Sequence, residues 1–234
     1  MTSKDLASLA SLFADETRAA FLLALLDGRA WTAGELARHA GVAPSTASEH
    51  LGKLVAGGVL AEERQGRHRY VRLADPGTAQ LVEDLAARAG PAGPGGPGAP
   101  GNLRAASTAR AMERGRTCYD HFAGRLGITI TEAMTGRGLL RQDTGFALTD
   151  QGLAWFEGLG LSLTPKGRRP VARGCLDWTE RRLHLAGLAG SALCRHAMDT
   201  GWCVRIGSER AVKVTPAGER ALEAALGIDA ADLR

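Results

Sequence analysis

Apolar side chains in the first 89 residues recur three and four positions apart, the spacing of one face of a helix. Such stretches cover residues 4–14 and 16–26. Thr32 stands three residues before Glu35 and predicts a capping box at the start of a short helix, broken near Gly41. After a short turn, Pro44 sits in the first turn of a predicted helix over 44–56, where its missing N–H costs nothing.

The pattern then changes to the alternation of strands. Residues 59–64 and 69–73 predict two strands joined by a basic tip, and a last helix is predicted over 75–89. Helix, helix, short helix, turn, helix and hairpin is the order of a winged helix-turn-helix. We therefore predict that fold for residues 1–89.

A recognition helix places its first polar side chains on base edges, while basic residues of a wing contact phosphates. The candidate DNA-binding residues are Ser45, Thr46, Ser48, Glu49, His50 and Lys53 on the helix, and Arg64, Arg67, His68 and Arg69 in the hairpin. A Ser/Thr-rich helix start is often only a cap, and an Arg-rich hairpin is often only a solvated edge. Their occurrence together in this order favours double-stranded DNA as the partner.

Five segments of this first half resemble the arsenical-resistance (ArsR-type) repressor family. They are Leu12-Phe-Ala-Asp-Glu-Thr-Arg18, Leu36-Ala-Arg-His-Ala-Gly-Val42, Ser45-Thr-Ala-Ser-Glu-His-Leu51, Gly57-Gly-Val-Leu60 and Gly66-Arg-His-Arg-Tyr70. The resemblance implies a homodimeric repressor that leaves a pseudo-palindromic operator when an inducer binds. It also implies dimerisation through the first and last helices of the domain, with an interface stripe of Leu6, Leu9, Phe13, Leu81, Val82 and Leu85. Alternatively, these residues close the core of the monomer.

The sequence departs from the metal-binding patterns of that family. The short helix at residues 35–40 lacks the Cys-x-Cys pair of the metalloid site, and residues 75–89 lack the histidines of the zinc-type site. No cysteine precedes Cys118. An arsenic or zinc inducer bound in the first domain is therefore not expected.

Residues 90–101 contain four of the nine prolines, alternating with glycines, and predict a linker. The chain is thus divided into a DNA-binding and dimerisation domain (1–89), the linker, and a C-terminal effector domain (102–234). The net charge is +4, and residues 1–90 contain 10 Lys+Arg against 11 Asp+Glu. Total charge therefore says little about DNA, whereas the basic cluster between residues 64 and 72 says more.

The second half contains an internal repeat. His121–Gly127 and His184–Gly190 both read His-x-Ala-Gly-x-x-Gly, and residues 146–152 match residues 212–218 more loosely. We predict a tandem of degenerate winged-helix units, each ordered helix, short helix, strand pair and helix. The expected fold class is mainly α with small β-hairpins (α+β). The arrangement resembles long ArsR-type regulators with a C-terminal extension.

An effector site is expected in this half, because the first domain offers none. Aromatic and polar side chains could form a pocket for a small organic molecule. The candidates are Tyr119, His121, Trp155, Arg169, Trp178, His184 and Trp202. Ordinary core packing is the alternative for each of them.

All four cysteines also lie in the second half. Cys118 and His121 are expected on one helix face, three residues apart, with Cys175 and His184 as their counterparts. These four residues could bind zinc or another thiophilic metal, or the cysteines could act as a redox switch. Buried structural roles are the alternative, and neither a metal nor any other cofactor is expected to be required.

Several function classes are excluded. No apolar run has the length of a membrane helix, and the N-terminus lacks the features of a secretory signal, so we expect a cytoplasmic protein without a membrane partner. The catalytic motifs of hydrolases, nucleotide-binding proteins and metalloproteases are absent, so no enzyme is expected. The sequence indicates a homodimeric DNA-binding repressor that is released by an effector, with a small organic molecule expected and a metal- or thiol-sensing mechanism as the alternative.

Overall fold

The structure is a computed structural model in which two compact units are described. The N-terminal unit extends to Leu85, and the C-terminal unit contains Ala86–Ala89 and the chain from Thr108 onward. The described residues are 2–65, 68–89, 103–143, 145–164, 169–207 and 210–233, with residues 65, 68 and 103–105 described by their backbone alone. The predicted linker at 90–101 lies outside the described residues.

The first 89 residues contain five helices and three short strands within the described ranges. In chain order these are α1 (Ser3–Phe13), α2 (Glu16–Ala24), a 3₁₀ turn (Leu25–Asp27), β1 (Trp31–Thr32), α3 (Ala33–Ala40), α4 (Pro44–Ala56), β2 (Leu60–Gln65), β3 (His68–Leu73) and α5 (Pro76–Ala89). The winged helix-turn-helix prediction is confirmed.

Local sequence explains where these helices begin and end. The side chain of Thr2, one residue earlier than expected, caps α1 in a capping box with Asp5. The predicted box of Thr32 and Glu35 opens α3, and Gly41 closes that helix with a left-handed φ of 67°. The second helix ends sooner than predicted because the chain tightens into a 3₁₀ turn before Gly28, which is also left-handed.

The wing is a three-stranded antiparallel sheet in the order β1-β3-β2. Arg64 lies opposite Arg69 in the β2–β3 register, and Thr32 pairs with Tyr70. The two-residue strand β1 is missing from the sequence prediction, since two residues are too short to show alternation. It fixes one side of the wing directly before the helix-turn-helix.

The core of this unit lies between α2, α3, α4 and the wing. Its largest fully buried side chains are Phe21, Leu22, Leu25, Leu26, Leu36, Leu51 and Leu54. At Gly57, just after α4, a Cβ would come within 2.3 Å of Leu12, so α1 approaches the end of α4 closely. The core therefore fixes α4 by its apolar face and leaves the opposite face exposed.

The C-terminal unit is built from small hairpins and helices. The elements after residue 102 are α6 (Leu103–Arg114), β4 (Arg116–Cys118), β5 (His121–Ala123), α7 (Gly124–Gly136), β6 (Leu140–Arg141), β7 (Ala147–Leu148), α8 (Asp150–Gly158), β8 (Arg173–Leu176), β9 (Leu183–Ala186), α9 (Gly187–Asp199), β10 (Cys203–Arg205), β11 (Val212–Val214), α10 (Pro216–Leu226) and a 3₁₀ turn (Ala230–Leu233).

This order corrects the prediction for the repeats. The segments beginning at His121 and His184 were expected to be helical, but His121 lies in β5 and His184 lies in β9. Each half runs hairpin, helix, hairpin, helix. Strands of three or four residues leave no readable periodicity, and the glycines that follow them begin the helices instead. The interpretation of the halves as degenerate winged helices stays a prediction.

The first helix of each half packs against the first hairpin of the other half. A Cβ at Gly127 of α7 would lie 2.5 Å from the carbonyl oxygen of Phe122 and 3.5 Å from Cβ of His184. A Cβ at Gly190 of α9 would lie 2.4 Å from the carbonyl oxygen of Leu185 and 3.1 Å from Cβ of His121. The repeated glycines therefore permit a reciprocal close approach that brings the two first hairpins together.

One apolar core spans both halves of the C-terminal unit. It includes Phe122, Leu126, Ile130, Met134, Phe156, Leu185, Leu193, Val212, Leu222 and Leu226. None of the helices in the described ranges has both the length and the apolar character needed to cross a membrane.

Candidate nucleic-acid interface and a buried cysteine–histidine cluster

Helix α4 presents a polar face to solvent. Ser45, Ser48, Glu49 and Lys53 are exposed, and Thr46 is half-buried, whereas Ala47, Leu51 and Leu54 on the other face are buried. Nζ of Lys53 lies 2.8 Å from Oε1 of Glu49, so the two side chains form an ion pair along the helix. Short hydroxyl groups therefore lead this surface and a paired charge follows them.

No side chain caps the first turn of α4. Its N-cap residue is Ala43, and Pro44 occupies the first turn. The backbone N–H groups of this turn therefore lack a side-chain acceptor from the cap. Such a helix start is suited to contact a phosphate oxygen beside the groove that the helix enters.

His50 occupies a different environment from the exposed members of this set. Its Nδ1 lies 3.2 Å from Nη1 of Arg18 and 3.4 Å from Oδ1 of Asp15. Arg18 also donates to the carbonyl oxygens of Leu12 and Ser11. His50 thus connects α4 to the start of α2 and the end of α1, a positioning contact that sequence reasoning did not identify.

The basic wing is partly neutralised by a neighbouring acid. Arg64 has an 80% exposed side chain, with its Nε 3.4 Å from Glu62. Nη2 of Arg69 lies 2.7 Å from the same carboxylate. Arg67 and the side chain of His68 lie outside the described residues. The wing hairpin itself is as predicted, and its arginines share one acidic partner.

The predicted interface stripe divides into exposed and buried members. Leu6, Leu9, Leu81 and Leu85 are 55%, 42%, 39% and 44% exposed. Helix α1 has no buried residue at all. Phe13 is half-buried and Val82 is 4% exposed, so Val82 belongs to the core of the chain. Four leucines of the stripe remain uncovered within one chain.

The structure brings together the four residues predicted as metal candidates. Cys118 pairs across the β4–β5 hairpin with His121, and Cys175 pairs across β8–β9 with His184. The expectation that Cys118 and His121 share a helix face is wrong, because a turn through Tyr119, with φ of 58°, folds them opposite each other. All four are buried, and one ligand atom from each lies within 4.8 Å of the others.

Like atoms face each other across the cluster. The two cysteine Sγ atoms are 3.9 Å apart, and the two histidine Nε2 atoms are 3.1 Å apart. The imidazole rings stack with their centroids separated by 5.0 Å. Each half of the unit therefore contributes one sulfur and one nitrogen.

A carboxylate lies behind each histidine. Oδ1 of Asp120 is 3.4 Å from Nδ1 of His121, and Oδ2 of Asp177 is 3.8 Å from Nδ1 of His184. Arg169 binds Asp120 at 2.7 Å, and the buried Arg116 binds Asp177 at 2.9 Å. The effector candidate Arg169 thus orients an acid of the cluster.

Asp177 also organises the start of a helix. It accepts the backbone N–H of Gly124 at 2.7 Å and hydrogen bonds from Thr179. Although burial raises the pKa of this carboxyl group, the charge of Arg116 and these hydrogen bonds hold it well below its ordinary range. Sequence reasoning had treated Asp177 as part of a solvated face, since nothing local indicates a partner 53 residues away.

The cysteines of the unit fall into two chemical classes. Hydrogen bonding with Cys118 lowers the pKa of the Cys175 thiol below its ordinary value despite its burial, and His121 and His184 act in the same direction. Burial raises the pKa of Cys194 and Cys203 to about 12. Thiolate character is therefore favoured inside the cluster and disfavoured at the other two thiols.

The aromatic effector candidates have separate partners. Nε1 of Trp155 donates to the carbonyl oxygen of Ala225 at 3.2 Å, and the Trp202 ring meets His196 edge-on. Trp178 lies 5.1 Å from the Arg116 guanidinium, and Tyr119 is 56% exposed. A cavity of about 700 Å³ in the unit is lined by Arg114, Gly115, Leu126, Ile206, Val212, Lys213, Val214, Pro216, Glu219 and Leu233, which include no effector candidate.

Comparison with known proteins agrees with the N-terminal geometry. A family profile described as a helix-turn-helix domain matches residues 13–63. The chain is 38% identical over 85 residues to the HTH-type transcriptional regulator CmtR of Mycobacterium tuberculosis, covering 36% of this chain and 71% of CmtR. The solved structure of the cadmium metal-sensor CmtR is 33% identical, with a TM-score of 0.33 over 42% of this chain and 99% of that one.

A longer relative covers both units. The HTH-type transcriptional regulator YdfF of Bacillus subtilis (strain 168) is 37% identical over 227 residues, which is 96% of this chain and 98% of YdfF. The arrangement of α2 to β3, the helix-turn-helix profile and this similarity over nearly the whole length agree. The chain therefore belongs to the ArsR-type family of winged helix-turn-helix transcriptional regulators.

Proposed function

We propose that this regulator is a homodimeric repressor that binds a pseudo-palindromic operator and leaves it when an effector binds in the C-terminal unit. The observation that carries the proposal is the exposed polar face of α4, followed directly by the basic wing. The coarser function, DNA binding through a helix-turn-helix, follows from family membership. Operator symmetry, repression and release are the parts proposed here.

The exposed leucines support a dimer. Leu6 and Leu9 on α1 and Leu81 and Leu85 on α5 leave apolar area in water, which a second copy of the chain would cover. A two-fold dimer presents two α4 helices to DNA, with half-sites about 34–36 Å apart, one helical turn. A pseudo-palindromic operator would match that symmetry.

The effector is placed in the C-terminal unit because the side chains of sensing chemistry collect there. His121 and His184, predicted to bind a small organic molecule, lie instead beside two thiols. The four aromatic candidates have other partners. The buried cluster is therefore the better supported input site, and an organic ligand remains the second candidate because of the 700 Å³ cavity.

The DNA-binding proposal is tested by operator selection followed by fluorescence anisotropy. The wild-type protein selects an operator from genomic fragments, and affinity is then compared between that operator and random DNA. Ser48→Ala should weaken operator binding by about 1–3 kcal/mol with little effect on random DNA, as expected for a base contact. Arg64→Ala should weaken both similarly and reduce the salt slope by about 1.

Ser162→Ala serves as the control, because Ser162 is an exposed serine of the other unit. It should leave both affinities unchanged. If Ser48→Ala and Arg64→Ala bind like the wild type, α4 and the wing do not form the DNA surface.

A further inference from the structure

We propose that the buried cluster binds one thiophilic divalent metal ion of the Zn²⁺ class through Cys118, His121, Cys175 and His184. The site is argued from the C-terminal unit alone, whereas its role as the effector site rests on the proposed function. It lies outside the matched helix-turn-helix region at 13–63.

The spacing of the donor atoms corresponds to a tetrahedron. With Zn–S bonds of about 2.3 Å and Zn–N bonds of about 2.0–2.1 Å, tetrahedral edges are about 3.8 Å between sulfurs and about 3.3 Å between nitrogens. The observed separations are 3.9 Å for Sγ–Sγ and 3.1 Å for Nε2–Nε2. The four atoms are therefore arranged as ligands around one ion, with no movement of the backbone required.

Charge balance supports the same ion. Two thiolates and two neutral imidazoles neutralise a divalent cation, so the complex can be buried without a net charge. All four side chains are 5% exposed or less. A mixed sulfur and imidazole set selects zinc and similar thiophilic metals over magnesium or calcium, which take oxygen ligands.

The groups behind the histidines are those that a metal site requires. Because Nε2 of each ring faces the cluster, Nδ1 is left to donate to Asp120 or Asp177. Such carboxylates fix the ring and its tautomer. Nδ1 of His184, 1% exposed, has no hydrogen-bond partner among the described residues, and its 3.8 Å distance to Asp177 would shorten with a small rotation toward a bound ion.

Simpler explanations account for only half of the cluster. A hydrogen-bonded histidine pair needs no thiols, and a redox-active cysteine pair needs no histidines. A metal ion uses all four, and it takes one cysteine and one histidine from each half of the unit. Four protein ligands also leave no open position, so the site is suited to binding rather than to hydrolysis.

The test uses the full-length chain. The protein is stripped with a chelator under reducing conditions, loaded with Zn²⁺ or Co²⁺, and desalted. Elemental analysis should then give one zinc ion per chain. The Co²⁺ form should show thiolate-to-cobalt charge-transfer absorption and the intense visible bands of tetrahedral cobalt, both lost when Zn²⁺ is added.

Matched variants assign the ligands. Cys175→Ser and His184→Gln should lose the bound metal, whereas Cys194→Ser and His196→Gln, a buried thiol and an imidazole of the same unit, should retain it. Circular dichroism reports whether each variant folds. If a ligand variant does not fold, the wild-type cobalt spectrum still decides.

Several results would overturn the site. These are a folded wild-type protein that retains no zinc after loading, a cobalt spectrum without thiolate charge transfer, or a folded His184→Gln variant with full metal content. The last result would also be that expected of a thiol-redox pair. DNA binding is not part of these measurements, so failure of the metal site and failure of the proposed repressor function are distinguishable.

Discussion

At the residue scale, the carboxylates behind the histidines decide how well the cluster holds an ion. Asp120 is the more accessible of the two, with a 29% exposed side chain, and it is held by Arg169 at 2.7 Å. It lies 3.4 Å from His121. Because a carboxylate in this position orients the ring and raises its basicity, its charge contributes to metal affinity without contacting the metal.

Replacing that carboxylate should weaken metal binding while leaving the ligands in place. Asp120→Asn should raise the dissociation constant for Zn²⁺ by about 10–100-fold, measured by competition with a chromophoric chelator. Asp143→Asn is the control, since Asp143 is an exposed acid of the same unit whose ion pair with Arg141 lies at 3.5 Å. Equal affinities for the two variants would show that Asp120 does not orient His121 toward a metal.

The same scale shows what sequence alone could find at the site. The residue types Cys and His identified the four ligand candidates, because few other side chains offer that chemistry. Their pairing across hairpins was not predictable, since Cys118 and Cys175 are 57 positions apart. The roles of Asp177 and Arg116 depend on burial created by the complete fold, and a sequence shows their charges but not their solvation.

At the element scale, the prediction succeeded where elements are long. Helix α4 has the predicted bounds of 44–56, because eleven or more residues display a full apolar face and Pro44 marks its start. Strands β4, β5, β10 and β11 have three residues each and were mostly misassigned or unplaced. The internal repeat was visible as sequence, while its conversion into hairpin and helix depends on tertiary packing.

Helix α7 tests the reciprocal packing of the two halves. Gly127→Ala would place a Cβ 2.5 Å from the backbone carbonyl oxygen of Phe122, so it should destabilise the protein by about 1–3 kcal/mol in urea unfolding. Gly136 lies on the same helix with nothing within 4 Å of its Cβ position. Gly136→Ala should be neutral or stabilising by up to about 1 kcal/mol. Equal stability of the two variants would contradict the close approach of α7 to β5.

At the scale of the whole molecule, the exposed leucines of α1 and α5 predict the oligomeric state. Leu81→Asp should shift the protein from dimer toward monomer in analytical ultracentrifugation, because it places a charge in the proposed apolar interface. Leu23→Asp is the control, as Leu23 is 42% exposed on α2 but outside the stripe. Operator affinity should fall with Leu81→Asp alone, since a monomer engages one half-site. A Leu81→Asp protein that stays dimeric would place the interface elsewhere.

The final prediction joins the two units through their ligands. If the metal is the effector, it must bind more tightly to the form that has left DNA, and by linkage DNA must then weaken metal binding equally. Zn²⁺ loading should therefore raise the operator dissociation constant by about 5–150-fold, the range typical of a coupling free energy of about 1–3 kcal/mol.

The measurement is fluorescence anisotropy on chelated and zinc-loaded wild-type protein, with His184→Gln and His196→Gln in parallel. His184→Gln should bind the operator with the affinity of the chelated wild type whether or not zinc is present, and His196→Gln should respond to zinc as the wild type does. One zinc ion per chain with identical operator affinities for loaded and chelated protein would make the ion a structural cross-link between the two hairpins. In that case the input to the repressor would lie elsewhere, with the 700 Å³ cavity as the next site to examine.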